Sequence, residues 1–233
     1  MIMRGWSIGF IFALAAALGG CDTAPPTSQP VEVEEVAAEQ PVMGPERHIL
    51  AFGNSLFAGY RVDPDESYPS RLQAALRARG VNAQVTSAAV SGNTTAAGLE
   101  RLEFTLDAQQ QTPDLAIVEL GGNDFLRGLP VAQTRENLSQ ILEILGERDI
   151  PVLLMGMRAP PNLGADYVAA FDGMFGELAQ EYDAALVPFW LESIYRRPEL
   201  FQSDRVHPTA EGIELLVDDT ADDIAAALPS PEG

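Results

Sequence analysis

Among the 233 residues there are two histidines and one cysteine, and this scarcity narrows the chemistry available to the chain. Four polar segments stand out: Gly53-Asn54-Ser55-Leu56, Ser91-Gly92-Asn93-Thr94, Gly121-Gly122-Asn123-Asp124 and Asp204-Arg205-Val206-His207-Pro208. A serine hydroxyl is a weak nucleophile until a neighbouring base removes its proton. His48, beside Arg47, opens an apolar run that ends at Ser55, so it lies at the wrong end and reads as structural or exposed. His207 is then the one credible base, since an imidazole with an ordinary pKa of about 6.5 accepts and returns a proton near neutrality. Asp204, three residues earlier, suits the second ring nitrogen and would stabilise an imidazolium. Acyl transfer also needs donors aimed at an oxyanion. The backbone amides of Ser55 and Gly92 and the side-chain amide of Asn123 are the candidates, and Gly92 fits because a residue without a Cβ lets backbone approach a substrate closely. Taken singly, Asp204 and His207 also suit a helix cap, and Asn123 a turn. Their combination is what favours chemistry.

These segments need a frame that brings them together, and the pattern of apolar residues supplies one. Apolar runs at 49–52, 83–90, 115–120, 152–155 and 185–189 read as five strands. Three of them are nearly continuous, as strands covered on both faces must be. Between them Leu72, Ala75 and Leu76 share a helical face, with Ser67 as its expected cap and Gly80 as its stop. Leu138, Ile141, Leu142 and Leu145 repeat the spacing, as do Phe171, Met174, Phe175 and Leu178. A last helix after Pro208 offers Ile213, Leu216, Val217 and Ile224, with Asp218, Asp219, Asp222 and Asp223 toward solvent. Strands alternating with helices predict a three-layer α/β/α sandwich around a parallel sheet. In such a sheet the ligand site lies beyond the carboxyl ends of the strands, and the four polar segments fall there. Segments 125–130 and 158–167 also follow strands, so Leu126, Leu129, Pro160 and Leu163 are expected to line an apolar acyl pocket.

The chain carries 34 acids against 14 bases, a formal charge of −20. That balance argues against nucleic acid as a partner, because phosphate backbones require clustered cations. No metal-ligand cluster, phosphate loop or Gly-x-Ser-x-Gly elbow is present, so no cofactor or metal is expected. Arg4, the apolar stretch 6–18 and then Gly19, Gly20 and Cys21 read as a signal peptide, too short to span a bilayer. Leu18-Gly19-Gly20-Cys21 resembles the bacterial lipobox, in which the cysteine is acylated and becomes the mature N-terminus. Asp22 matches the signal that retains such lipoproteins in the inner membrane of enteric bacteria. Residues 21–46, rich in Pro and Glu, read as an extended tether from membrane to domain. The expected organisation is thus 1–20 signal peptide, 21–46 lipidated cysteine and tether, 47–229 catalytic domain facing the periplasm.

The four segments resemble, in order, the sequence blocks of the SGNH hydrolases, also called the GDSL family, over essentially all of residues 47–228. The stretches Ser55-Leu56-Phe57-Ala58-Gly59-Tyr60 and Met157-Arg158-Ala159-Pro160-Pro161-Asn162 are similar to its bacterial arylesterase and acyl-CoA thioesterase/lysophospholipase branch. The resemblance implies a sheet in the order 2-1-3-4-5, Ser55 as nucleophile, Gly92 and Asn123 in the oxyanion hole, and Asp204 with His207 completing a triad. It implies hydrolysis of ester or thioester bonds, on small-molecule or lipid substrates. Two positions depart from the family's pattern: Asn54 stands where Asp normally precedes the serine, and Asn93 where the second block has Asp. Neither is a triad member, and only a modest effect on rate is expected. A carbohydrate O-deacetylase, with Trp190 and Tyr195 as a sugar platform, and a non-catalytic envelope lipoprotein are the competing readings.

Overall fold

The computed structural model describes residues 42–230. The expected signal peptide, Cys21, Asp22 and almost all of the expected tether lie outside the described residues. Five strands, β1 (Arg47–Gly53), β2 (Ala83–Ala89), β3 (Leu115–Glu119), β4 (Val152–Met155) and β5 (Ala185–Val187), form one parallel sheet in the order β2-β1-β3-β4-β5. This is the fold class and strand order that the sequence leads one to expect. β1, β3 and β4 are covered on both faces and are buried almost throughout, whereas β2 at the edge is half-buried or exposed beyond its buried first residue, Ala83.

Among the described residues seven α-helices connect and cover the strands: α1 (Ser55–Ala58), α2 (Tyr68–Ala78), α3 (Thr95–Asp107), α4 (Gly122–Leu126), α5 (Val131–Glu147), α6 (Ala165–Glu181) and α7 (Ala210–Ala227). Right-handed crossovers fix which face each takes. The sheet grows outward from β1 in both directions, so α2 and α7 pack together on one face while α3, α5 and α6 pack in series on the other. The apolar stripes read from the sequence are the buried ones, including Leu138, Ile141, Leu142 and Leu145 of α5 and Ile213, Leu216, Val217 and Ile224 of α7. The four aspartates of α7 face solvent, and Asp222 pairs with Arg79 at 2.7 Å. Under α1 the Phe57 and Tyr68 rings stack with centroids 4.8 Å apart, and Trp190 meets both edge-on.

Local details differ from expectation. β5 stops at Val187, two residues early, because Pro188 has no N–H to continue a ladder. Gly156 N–H still donates to Val187 O at 2.8 Å, and Trp190 N–H to Gly156 O at 3.2 Å, so the two chains stay paired past the strands. A Cβ at Gly156 would sit 2.2 Å from Pro188 O, which explains the glycine. Ser67 does occupy the N-cap position of α2, but its hydroxyl bonds Pro64 O and Ser70 Oγ instead of a helix amide. Gly80, at φ +84°, follows the end of that helix as expected.

Candidate active site

β1 ends at Gly53 and the chain turns at once into α1, so Ser55 occupies the first helical position at the carboxyl end of the sheet. Asn54 caps that helix: its Oδ1 accepts the Leu56 N–H at 3.1 Å and lies 3.5 Å from Ser55 Oγ. At the first position of a helix the Ser55 N–H has no intrahelical acceptor, which leaves it available to a ligand. From the far end of the chain, His207 reaches the same place. Its Nε2 lies 2.9 Å from Ser55 Oγ, and its Nδ1 lies 2.9 Å from Asp204 Oδ2. An ionised carboxylate only accepts, so Nδ1 carries the proton and Nε2 accepts from the serine hydroxyl.

The segment carrying Asp204 and His207 is held in a tight loop. Asp204 Oδ1 accepts the N–H groups of Val206 at 3.0 Å and His207 at 3.1 Å, and Arg205 between them takes a left-handed conformation at φ +58°. Burial acts to raise the Asp204 pKa, but those two amides and the imidazole outweigh it and bring the acid down to about 2. Gln202 N–H donates to His207 O, Thr209 N–H donates to Leu200 O, both at 2.8 Å, and Thr209 Oγ1 caps α7 at Gly212 N. Tyr60 lies against the imidazole with centroids 4.3 Å apart.

The two remaining segments meet opposite Ser55. Gly92 takes φ +81°, a conformation that disfavours other residues. Asn123 in α4 donates through Nδ2 to Asn93 O at 3.0 Å, which orients its amide while one further N–H stays free. Two arginines hold the 91–93 loop: Arg127 Nη2 donates to Gly92 O at 2.7 Å, and Arg101 Nε to Asn93 Oδ1 at 2.7 Å. Behind Asn123 the buried Asp124 accepts the Thr95 N–H at 2.9 Å and the Thr134 hydroxyl at 3.3 Å, tying α3, α4 and α5 together.

Ser55, Gly92, Asn123 and His207 open into one cleft of about 610 Å³. Of the four residues expected to make its apolar wall, Leu126 and Pro160 do so and Leu129 and Leu163 do not. The Leu129 carbonyl accepts the Tyr167 hydroxyl at 2.9 Å, and Leu163 packs against the core from the turn Pro161–Leu163. Met157, Phe189, Leu191 and Val206 supply apolar wall that the sequence did not single out. Tyr195 lies at the cleft, but Trp190 is buried, its Nε1–H on Met157 Sδ at 3.2 Å, so the pair cannot form a platform. His48 sits at the amino end of β1, with Nε2 2.9 Å from Glu46 Oε1.

Glu119 escaped the sequence reading altogether. The last residue of β3, it is fully buried and accepts from Asn54 twice, at the backbone N–H (3.2 Å) and at Nδ2 (2.9 Å). Burial pushes this carboxyl up to about 8, against the pull of the two Asn54 donors. The available signal was an acid inside an otherwise apolar strand, directly before Leu120-Gly121-Gly122.

Known proteins are similar to this chain in sequence and in fold. A model of the GDSL-like lipase/acylhydrolase family matches residues 51–215. An arylesterase of Vibrio mimicus is 37% identical over 180 residues, covering 77% of this chain and 89% of its own. The thioesterase 1/protease 1/lysophospholipase L1 of Escherichia coli K12 is 37% identical over 170 residues, 73% of this chain and 79% of its own. Among solved structures, AlinE4, an SGNH-hydrolase family esterase, is 61% identical, covers 81% of this chain and all of its own, and superposes with a TM-score of 0.69. With the family model spanning most of the folded region and a parallel sheet in its strand order, this chain belongs to the GDSL-like lipase/acylhydrolase family and is an ester-hydrolysing serine hydrolase.

Proposed function

We propose that Ser55 Oγ attacks the carbonyl carbon of a bound ester or thioester while His207 Nε2 takes its proton. The observation that carries this reading is the continuous relay Ser55 Oγ to His207 Nε2 and His207 Nδ1 to Asp204 Oδ2, with both links at 2.9 Å. The carbonyl oxygen gains negative charge as the bond forms, and the Ser55 and Gly92 amides with Asn123 Nδ2 receive it. Asp204 keeps Nδ1 protonated and stabilises the imidazolium. His207 then gives the proton to the departing alkoxide or thiolate, leaving an acyl ester on Ser55. A water repeats the sequence: it loses a proton to Nε2, attacks the acyl carbon, and Ser55 leaves with that proton as the carboxylic acid is released.

Substrates follow from the wall and the size of the cleft. Leu126, Met157, Phe189, Leu191 and Val206 favour an acyl chain or an aryl group over a sugar. Relatives named arylesterase and thioesterase/lysophospholipase support aryl esters, short to medium acyl esters, acyl-CoA and lysophospholipid as the compounds to test. An O-deacetylase is less well supported, since Trp190 is closed off in the core. Ser55→Ala is the decisive variant: turnover of p-nitrophenyl acetate and butyrate should collapse to what the oxyanion donors and binding alone provide. Undiminished turnover would end the assignment of Ser55. A profile over acyl-chain length then ranks the substrates.

The same reading places the enzyme in the cell envelope, with 1–20 as signal peptide, Cys21 acylated, 21–46 as tether and 47–229 as the periplasmic domain. The lipobox-like Leu18-Gly19-Gly20-Cys21 supports the anchor, and Asp22 supports the inner membrane. Labelled palmitate should enter the wild type and not Cys21→Ser, and only the wild type should sediment with membranes. Equal labelling of both would remove the anchor from the assignment.

A further inference from the structure

β1 and β3 run in register with Gly53 opposite Glu119, so their carboxyl ends bring one buried acid beneath the first turn of α1. Both donor groups of Asn54 are spent on that acid: the backbone N–H on Oε2 and Nδ2–H on Oε1. Asn54 Oδ1 is thereby turned the other way, onto the Leu56 N–H and toward Ser55 Oγ. A Cβ on Gly53 would stand 3.0 Å from Glu119 Oε2, so the glycine keeps the seat of the carboxyl open. No step of acyl transfer uses Glu119, yet burying an acid is costly unless its neighbours match it.

We propose that Asn54 and Glu119 form a complementary amide–carboxyl pair that fixes the α1 cap presenting Ser55, with Glu119 as a positioning residue acting through Asn54. The inference rests on Ser55 being the nucleophile. The match is one of donors against acceptors, because the carboxyl oxygens accept the backbone N–H and one Nδ2–H of Asn54, while Nδ2 also donates to Glu119 O at 3.4 Å. Two carboxyls at these positions would need a proton held between them, and the amide makes that donor permanent. The elements around Glu119 add one cation, Arg101 of α3, whose Nη2 donates to Gly53 O at 3.1 Å. The neighbouring stretches of α1, β1 and β4 (55–58, 51–53 and 152–155) carry no ionisable side chain. Burial holds the acid at about 8, inside the range of ester assays, so its proton gives the pair a signature of its own.

The test is an exchange of the two groups. Glu119→Gln sets an amide N–H against one of the Asn54 donors. In Asn54→Asp/Glu119→Gln the new amide donates to the new carboxylate, while its oxygen still accepts the backbone N–H of position 54. Steady-state hydrolysis of p-nitrophenyl butyrate from about pH 6 to 9 and the melting temperature are measured for the wild type, both single variants and the double variant. Glu119→Gln should lower kcat about 10–100-fold with KM within about threefold, and Asn54→Asp should cost less than about tenfold. The exchanged pair should recover at least about tenfold over Glu119→Gln. Glu119→Gln should also lack the inflection that Glu119 gives the wild type near pH 8. A folded double variant as slow as Glu119→Gln, or a Glu119→Gln as fast as the wild type, overturns the pair. Should Glu119→Gln fail to fold, a folded and active double variant supports the pair and an unfolded one overturns it. Ser55→Ala in the same assay separates the two levels: persistent activity there fells the nucleophile, whereas collapse there without rescue by exchange fells the pair alone.

Discussion

Asn123 is the residue whose chemistry and geometry can be separated most cleanly. Its side chain faces the cleft with one N–H on Asn93 O, so the amide is oriented before any substrate arrives. Such a preorganised donor acts on charge that exists only in the transition state. Asn123→Ala should therefore lower kcat roughly 10²–10³-fold and leave KM nearly unchanged. A loss below about threefold would reduce Asn123 to a turn residue. At this scale Ser55, Asp204 and His207 were legible because the chain has only two histidines, and the serine and aspartate stand in distinctive places, at the end of the first strand and three residues before that base. The sequence hid Glu119 and Arg127, whose roles depend on what lies opposite them in space. Glu119 matters through the register that sets it against Gly53, and Arg127 through a carbonyl 35 residues away.

Elements convert those residues into a site, and the clearest case is the start of α7. Thr209 Oγ1 accepts the Gly212 N–H at 3.1 Å and donates to Leu200 O at 3.2 Å, fixing the loop that presents Asp204 and His207. Thr209→Ala removes both bonds and should destabilise the fold by about 1 kcal/mol in urea unfolding. It should also lower kcat/KM, since the imidazole loses a fixed approach to Ser55, and Thr209→Ser should restore both. If stability falls and kcat/KM does not, the cap has no part in presenting the triad. The strands were legible because β1, β3 and β4 are apolar runs, and their alternation with helical stripes led to crossovers and a parallel sheet, whereas the strand order followed only from the family resemblance. Element ends were less legible. β5 stops where Pro188 withdraws a donor, and Ser67 turns its hydroxyl back to Pro64, choices made by neighbours that a one-dimensional pattern does not display. The cleft wall failed for the same reason: Leu129 and Leu163 follow the right strands but do not line the cleft, Leu163 packing against the core, while Phe189 and Val206 arrive from the far end of the chain.

For the molecule as a whole, the charge of −20 sets how stability responds to its medium. Around the sequence pI of about 4.2 the acids and bases balance, and above it the compact state carries growing self-repulsion. Glu119 adds to this slope: its folded pKa lies near 8 against an ordinary 4.5, so the stability present below 4.5 is lost as the pH rises toward 8. Asp204 works from the other side. Its folded pKa near 2 lies below the ordinary 3.8, so its contribution is present above 3.8 and is lost as the pH falls toward 2. Together these place the highest melting temperature at mildly acidic pH, with a decline toward pH 8. Salt distinguishes the two causes of that decline. At about 0.5 M NaCl exposed charges are screened within a few ångströms, so repulsion is relieved and the melting temperature at pH 8 should rise, on the order of 3 °C. Near the pI the same salt should do almost nothing. The part due to Glu119 is buried and escapes screening, so a residual slope should survive in high salt and flatten in Glu119→Gln, which leaves no acid in that site. A melting temperature that is independent of salt at pH 8, or a residual slope unchanged in that variant, would show that stability is not governed by these charges.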